Sequence, residues 1–235
     1  MSAGGRDSPR LLDYVLDLWV HQWRTRHAHG DVIIVRWADD FVVGFEHRED
    51  AERFWAELRD RLAKFGLELH AEKTRLIEFG RHAVRDRAAR GLGKPETFQF
   101  LGFTHVCGKT RKTKRFKLTR LTDAKRMRAK LLAIKRELWK RMHHPIPEQG
   151  RWLARVLAGH YNYYAVPDNI EALSAFRYLL IRHWLRSLRR RSQKHRMDWA
   201  RMDRLADQWL PLPRILHPWP EQRFAAITQG RSPVR

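Results

Sequence analysis

The sequence predicts a mixed α+β fold in two parts, an N-terminal half where helices alternate with short strands and a C-terminal half that is helical throughout. Three observations predict it. The N-terminal half holds the run Val32-Ile33-Ile34-Val35-Arg36-Trp37-Ala38-Asp39-Asp40-Phe41-Val42-Val43-Gly44-Phe45, two strand-like apolar segments around a short polar reversal. Beyond residue 122 apolar residues recur only at helical spacing. Between the two, Lys109 to Arg120 is almost entirely basic and marks a boundary. The division is therefore 1–107, a basic connector at 108–122, and a helical domain at 123–235.

Residues 1–10, rich in Gly, Ser, Asp and Arg, read as frayed. A helix is predicted from Leu11 to Arg26, with Leu12, Val15, Trp19 and Trp23 on one face. The hairpin follows. A second helix, Arg48 to Phe65, repeats Phe54, Leu58, Leu62 and Phe65, and Gly66 stands where a left-handed C-terminal cap belongs. Strands are predicted at Leu67–Leu69, Arg75–Phe79 and Phe98–Val106, and a loop over Arg81–Pro95 because charge, Gly and Pro accumulate there.

In the helical half, Met127, Leu131, Ile134, Leu138 and Met142 form an apolar stripe. Pro145 and Pro147 stop that helix. The next covers Glu148 to Tyr164. A third, from Asn169, aligns Leu173, Phe176, Leu180, Trp184 and Leu188, with Asp168 and Asn169 as capping residues and Arg189-Arg190-Arg191 at its close. A shorter helix runs from Trp199 to Trp209, and proline-rich coil follows.

Composition narrows the function. Forty-eight Lys and Arg against 26 Asp and Glu give a net charge of +22, which points to a polyanionic partner, nucleic acid above all. At 43% hydrophobic with ten tryptophans, the chain is too apolar for a disordered basic tail. One cysteine, Cys107, excludes a disulfide framework and a multi-cysteine zinc site. No apolar run reaches membrane-spanning length and no secretory signal precedes the first charges, so the expectation is a soluble, cytoplasmic protein. Gly108-Lys109-Thr110 does not make a phosphate loop, since the earlier glycine it needs would fall at Phe103.

Asp39 and Asp40 sit at the hairpin turn. Paired aspartates on a β-turn can hold magnesium, a hard cation that takes oxygen ligands. Aspartate is also a common residue of solvated turns. The turn alone does not decide between these readings.

Four segments, in order, resemble the group II intron reverse transcriptases, or maturases. Trp37-Ala38-Asp39-Asp40-Phe41-Val42-Val43 resembles the family's Tyr-Ala-Asp-Asp motif, and Gly66 to Thr74 its next palm motif. Phe98-Gln99-Phe100-Leu101-Gly102-Phe103 resembles the strand pair that ends the palm. His160-Tyr161-Asn162-Tyr163-Tyr164 to Asn169 and Leu210-Pro211-Leu212-Pro213 to Pro220 resemble the thumb, or maturase, domain. The resemblance implies a partial reverse-transcriptase palm followed by a basic helical thumb, Asp39 and Asp40 as catalytic carboxylates on magnesium, and Lys73 near the incoming nucleotide. Lys73 is equally readable as a surface lysine, and Trp37 as a contact to primer or a core residue.

The departures are specific. Trp37 stands where Tyr is usual and His70 where Asn is usual. The family uses a third aspartate on an earlier palm strand, and Asp7, Asp13 and Asp17 lie in no strand-like setting. The expectation is a shortened enzyme whose polymerisation is lost in this chain alone, with a separate fingers-palm fragment as a partner; the alternatives are a non-catalytic RNA-binding, splicing-assistance module and an inert mobile-element remnant. The partners implied are structured group II intron RNA and RNA/DNA duplex. Lys109, Arg111, Lys112, Lys114, Arg115 and Lys117, with Arg189, Arg190 and Arg191, are the candidate phosphate contacts. Of Tyr161, Tyr163 and Tyr164, at least two are expected in the core.

Overall fold

The structure is a computed structural model that describes residues 13–38, 40–110, 112–191 and 197–219. It forms two compact units that divide between Glu96 and Thr97. None of the described helices is long and apolar enough to cross a membrane.

The first unit starts with a π-helical turn, Asp13–Leu18, that runs into α1, Trp19–Arg26. The buried stripe is Leu16, Val20 and Trp23, with Trp19 packed partly against it. Trp19 and Trp23 of the expected stripe thus lie on this face; Leu12 and the side chain of Val15 lie outside the described residues. Strands β1, Val32–Trp37, and β2, Asp40–Phe45, pair antiparallel. Helix α2, Arg48–Ala63, buries Phe54, Leu58 and Leu62. Trp19 and Trp23 both contact the Phe54 ring, at 5.2 and 5.1 Å between centroids. Burying such a side chain contributes about 1.5–3 kcal/mol, so this aromatic cluster is the main reason the hairpin face packs on the helices.

Two devices fix the ends of α2. At its start Asp50, 1% exposed, accepts from the backbone N–H of His29 and Gly30 and from the His29 ring, tying the segment before β1 to the helix. Burial works to raise the Asp50 carboxyl, but the bonds from His29 and Gly30 outweigh it and hold it below the usual range. At its end Gly66 takes φ +66°, and the bonds Gly66 N–H to Ala63 O and Leu67 N–H to Leu62 O close a Schellman cap, as the glycine predicts.

Two strand expectations fail here. Leu67–Leu69 and Arg75–Phe79 carry no strand. A strand needs a hydrogen-bonding neighbour, and β1 and β2 pair only with each other in their sheet; Leu67 and Leu69 pack on the apolar cluster as extended chain instead. Within the expected loop Arg81–Pro95 lies a short helix, α3, Ala83–Ala89, followed by Gly91 at φ +67°. Arg87 and Arg90 from this segment both pair with Glu78.

The second unit opens with a three-stranded antiparallel sheet: β3, Phe98–Phe100; β4, Phe103–Lys109; and β5, Phe116–Thr122. The expected strand Phe98–Val106 is thus broken by a two-residue turn at Leu101-Gly102, both at positive φ, with Phe100 paired to Phe103. The turn is crowded: a Cβ on Gly102 would lie 2.8 Å from the Tyr164 hydroxyl, and Tyr163 donates to the Leu101 carbonyl. The connector expected at 108–122 is instead largely β-structure, because Phe116 and Leu118 alternate with Lys117 and Thr119 and the run Phe116–Thr122 pairs along its whole length with β4.

Four helices follow: α4, Ala124–Lys140; α5, Ile146–Tyr164; α6, Ile170–Arg189; and α7, Trp199–Trp209. All four were expected from the sequence, α4 and α6 as apolar stripes. Leu131, Ile134 and Leu138 of α4 meet Leu153 and Leu157 of α5 and Leu173 to Leu188 of α6 in one core, which Met202, Ala206 and Leu210 complete. Trp184 is fully buried and donates its indole N–H to Gln149. Gln149, 1% exposed, in turn donates to the carbonyls of Arg141, Met142 and His144 in the turn that follows α4.

Asn169, fully buried, sits at the N-cap of α6 without a side-chain capping bond. Its amide is spent elsewhere. It accepts from Thr122 N–H and donates to the Thr122 hydroxyl and the Tyr164 carbonyl, pinning the end of β5 to the α5–α6 turn. Asp168, expected as a cap, has φ +72° and binds Lys117 at 2.6 Å.

Candidate functional site

In the β1–β2 hairpin Trp37 pairs with Asp40, leaving Ala38 and Asp39 as a two-residue loop. Ala38 takes φ +52°, as the first residue of a primed turn must, at a cost of about 1–2 kcal/mol for a residue with a Cβ. Asp39, the residue expected to bind metal most directly, lies outside the described residues. Asp40 is described and exposed.

The two faces of the hairpin differ sharply. Val32, Ile34 and Arg36 turn inward with Phe41, Val43 and Phe45. Ile33, Val35 and Trp37 turn outward and are 66%, 50% and 68% exposed. Trp37 is therefore not core. Its cross-strand partner shares its face, so Asp40 and Trp37 project together from the tip.

Sequence reasoning missed the residues that hold this tip. Arg36, 15% exposed, donates from Nε and Nη2 to the Asp17 carboxylate, at 2.9 and 2.7 Å, and from Nη1 to the Ala38 carbonyl at 3.0 Å. The strained loop is thereby clamped to the first helical segment. A signal was present: an arginine in phase with the inward residues of an apolar strand requires a buried partner. Asp17 is thus committed to a guanidinium.

Lys73 is exposed in the turn His70 to Thr74. Among the described residues no group of three His, Cys, Asp or Glu side chains is placed to hold a metal ion. Magnesium takes near-octahedral oxygen ligands, and Asp40 with a committed Asp17 does not supply them, so the described donors do not by themselves fit that ion.

The basic candidates gather at the β4–β5 turn. Lys109 pairs with Phe116 across it, and Lys109, Lys112, Lys114 and Arg115 are exposed. The loop is ordered by Thr110, whose N–H donates to the Arg115 carbonyl and whose hydroxyl accepts from Arg115 N–H. Arg111 lies outside the described residues. Lys117 departs from expectation: it is neutralised by Asp168 and lies 4.5 Å from the Trp219 ring centroid. At the end of α6, Arg189 donates to the Met197 carbonyl, Arg190 stacks over Trp139 at 4.8 Å, and Arg191 reaches the His143 carbonyl at 3.5 Å. Each keeps further N–H donors for phosphate. Of the three tyrosines, Tyr161 is 4% exposed, Tyr164 packs on the core, and Tyr163 is 51% exposed. Burial pushes the Tyr161 phenol up to about 12 and the His160 imidazole down to about 4, so both are uncharged at neutral pH.

Charge divides with the fold. Residues 1–96 hold 17 Lys and Arg against 17 Asp and Glu, and residues 97–235 hold 31 against 9. The entire net charge of +22 thus belongs to the second unit.

A comparison with curated proteins gives no match. Against protein families, residues 1–105 match the model described as reverse transcriptase (RNA-dependent DNA polymerase). The segment that carries the paired-aspartate hairpin therefore matches a reverse transcriptase domain.

Proposed function

We propose that this chain carries the palm-hairpin and thumb portions of a group II intron reverse transcriptase, or maturase, and that the 235-residue polypeptide binds structured intron RNA without extending a primer by itself. The observation that carries the reading is the Trp37-Ala38-Asp39-Asp40 hairpin lying inside the reverse-transcriptase match. The order of the palm and thumb motifs supports the intron-encoded branch. The excess of 22 positive charges in residues 97–235 supports RNA, alone or in duplex with DNA, as the ligand.

Asp39 and Asp40 are assigned to magnesium in the assembled enzyme, with the remaining oxygen ligands supplied by another segment, such as a separate fingers-palm fragment. Lys73 is assigned to the neighbourhood of the incoming nucleotide. A two-ion site needs its carboxylates placed to a fraction of an ångström, so an incomplete set removes activity rather than reducing it.

Two measurements test this. Binding of a structured RNA should weaken about 10³-fold or more between 50 and 200 mM salt if six or more phosphates are contacted. A flat salt response would overturn the binding half. Primer extension on an RNA template should be absent with magnesium or manganese; extension that disappears on Asp39→Asn would show that the site is complete in this polypeptide.

A further inference from the structure

The second unit holds a cleft that the candidate site does not use. It is an open groove of about 510 Å³ lined by residues of α6, α7 and the Leu212-Pro213 segment. Tyr178 and Trp199 stand in it with ring planes 4° apart and centroids 6.2 Å apart, and both are open to solvent, at 53% and 40% exposure. Two aromatic rings held parallel yet so exposed gain little from burial where they are. Ile181 supplies an apolar floor, 5% exposed.

The polar groups around the rings are of both signs. The Arg182 guanidinium lies 5.8 Å from the Tyr178 centroid. Arg177 lines the wall; its Nη2 reaches the Asp207 carboxylate at 3.5 Å and the carbonyls of Ala206 and Leu210 at 3.4 and 3.5 Å, all long contacts, and its buried Nε has no partner among the described residues. Asp203 also lines the cleft, exposed and with no hydrogen bond or ion pair among the described residues.

We propose that this cleft binds a single unstacked nucleobase of RNA, and that the base is guanine. The inference rests on the RNA-binding reading above and goes beyond it. Parallel aromatic faces accept a third planar ring by stacking, and proteins that read single-stranded RNA splay bases onto such faces. An aromatic side chain of a protein partner would also stack, but the surrounding unit carries 31 basic against 9 acidic residues, and Arg177 and Arg182 flank the rings, so a polyanion is favoured. Asp203 then selects the base. An ionised carboxylate is acceptor-only and takes two parallel N–H donors; the pairing edge of guanine presents two adjacent ones, N1–H and the N2 amino group, whereas adenine and uracil each set an acceptor beside a donor.

The test uses the full chain and three nine-nucleotide uridine RNAs that differ at the central position, which is guanosine, adenosine or abasic. Anisotropy is read at one salt concentration, and each protein is judged by its own affinity ratios, which a general loss of charge does not move. The guanosine RNA should bind at least about fivefold tighter than the abasic one. Tyr178→Ala and Trp199→Ala should each bring that ratio close to one, and Trp199→Phe should largely restore it. Asp203→Asn should abolish the preference for guanosine over adenosine while both still exceed the abasic RNA. Equal binding of guanosine and abasic RNA by the unmodified chain, or a ratio that survives both alanine variants, overturns the nucleobase site. A guanosine preference that survives Asp203→Asn overturns the assignment to guanine. If structured RNA binds with steep salt dependence while the three short RNAs bind alike, this inference alone falls; if structured RNA does not bind at all, the proposed function falls with it.

Discussion

The two units are nearly opposite in how they use charge. In residues 1–96, 17 basic and 17 acidic groups balance, and ion pairs join several of the described ones: Arg36 with Asp17, Arg48 with Glu52, Arg53 with Asp50, Arg87 and Arg90 with Glu78. In residues 97–235, 31 basic groups face 9 acidic ones, and most have no acid to pair with. The first unit is exposed in the other currency, since one whole face of its hairpin is Ile33, Val35 and Trp37 in water. The paired aspartates of the hairpin and the excess of basic charge thus belong to different folding units.

The largest expected effect bears on the basic unit. Replacing Lys109, Lys112, Lys114 and Arg115 together by Gln should weaken structured-RNA binding by a factor on the order of 10² at moderate salt and lower the log–log salt slope by about 3. Replacing Arg189, Arg190 and Arg191 should lower it less, because those guanidiniums already serve Met197, Trp139 and His143. Equal slopes would show that the β4–β5 turn has no special part.

Next in size is Asn169→Ala. It strands the buried Thr122 N–H and takes the amide donor from the Thr122 hydroxyl, and should cost about 2–4 kcal/mol in denaturant unfolding of the second unit.

His160 gives a pH test of comparable size. It is 7% exposed, stacks on Phe176 at 3.7 Å, and is held near 4 by burial first and by the Lys130 charge second, against an ordinary 6.5. The native state keeps it neutral, while the unfolded chain takes up a proton below pH 6.5. Its contribution is therefore complete above about pH 6.5 and is lost as pH falls towards 4, by about 2–3 kcal/mol. His160→Phe should flatten the melting temperature over that window. His105 and His183, also lowered by burial, leave a residual slope of the same sign.

Smaller effects belong to the first unit. Arg36→Ala removes the clamp on Ala38 and should cost about 1 kcal/mol, because Asp17 is half exposed and can be solvated again. Asp40→Asn should leave RNA affinity unchanged within about twofold; a larger gain would mean that the two units share one RNA surface.

How far the fold was readable depended on where the information sat. Two long helices of the second unit were visible because each buries a stripe whose period is its own, as in Leu131, Ile134 and Leu138 of α4 and Leu173, Phe176 and Leu180 of α6. Gly66 announced its cap. The short strands were not readable: Leu67–Leu69 has the composition of a strand, but pairing requires a neighbour that local sequence cannot name. The basic run at Lys109 to Arg120 suggested a connector because charge masked the short alternation of Phe116 and Leu118 with Lys117 and Thr119. At the candidate site Asp39, Asp40 and Trp37 stood out by spacing, whereas the Arg36–Asp17 clamp joins residues 19 apart and surfaced only when the chain was folded.

By itself, then, the sequence determined what periodicity and composition carry: a mixed α+β class, the helices, an acidic hairpin turn and a net charge of +22. Tertiary structure decided which charges remain available. Lys117 was lost to Asp168, and Asp17 to Arg36, because a salt bridge depends on distance in space, on which the chain order is silent. It also decided that Tyr178 and Trp199, 21 positions apart, stand parallel beside Asp203, since that requires two helices to pack before any of the three can act together.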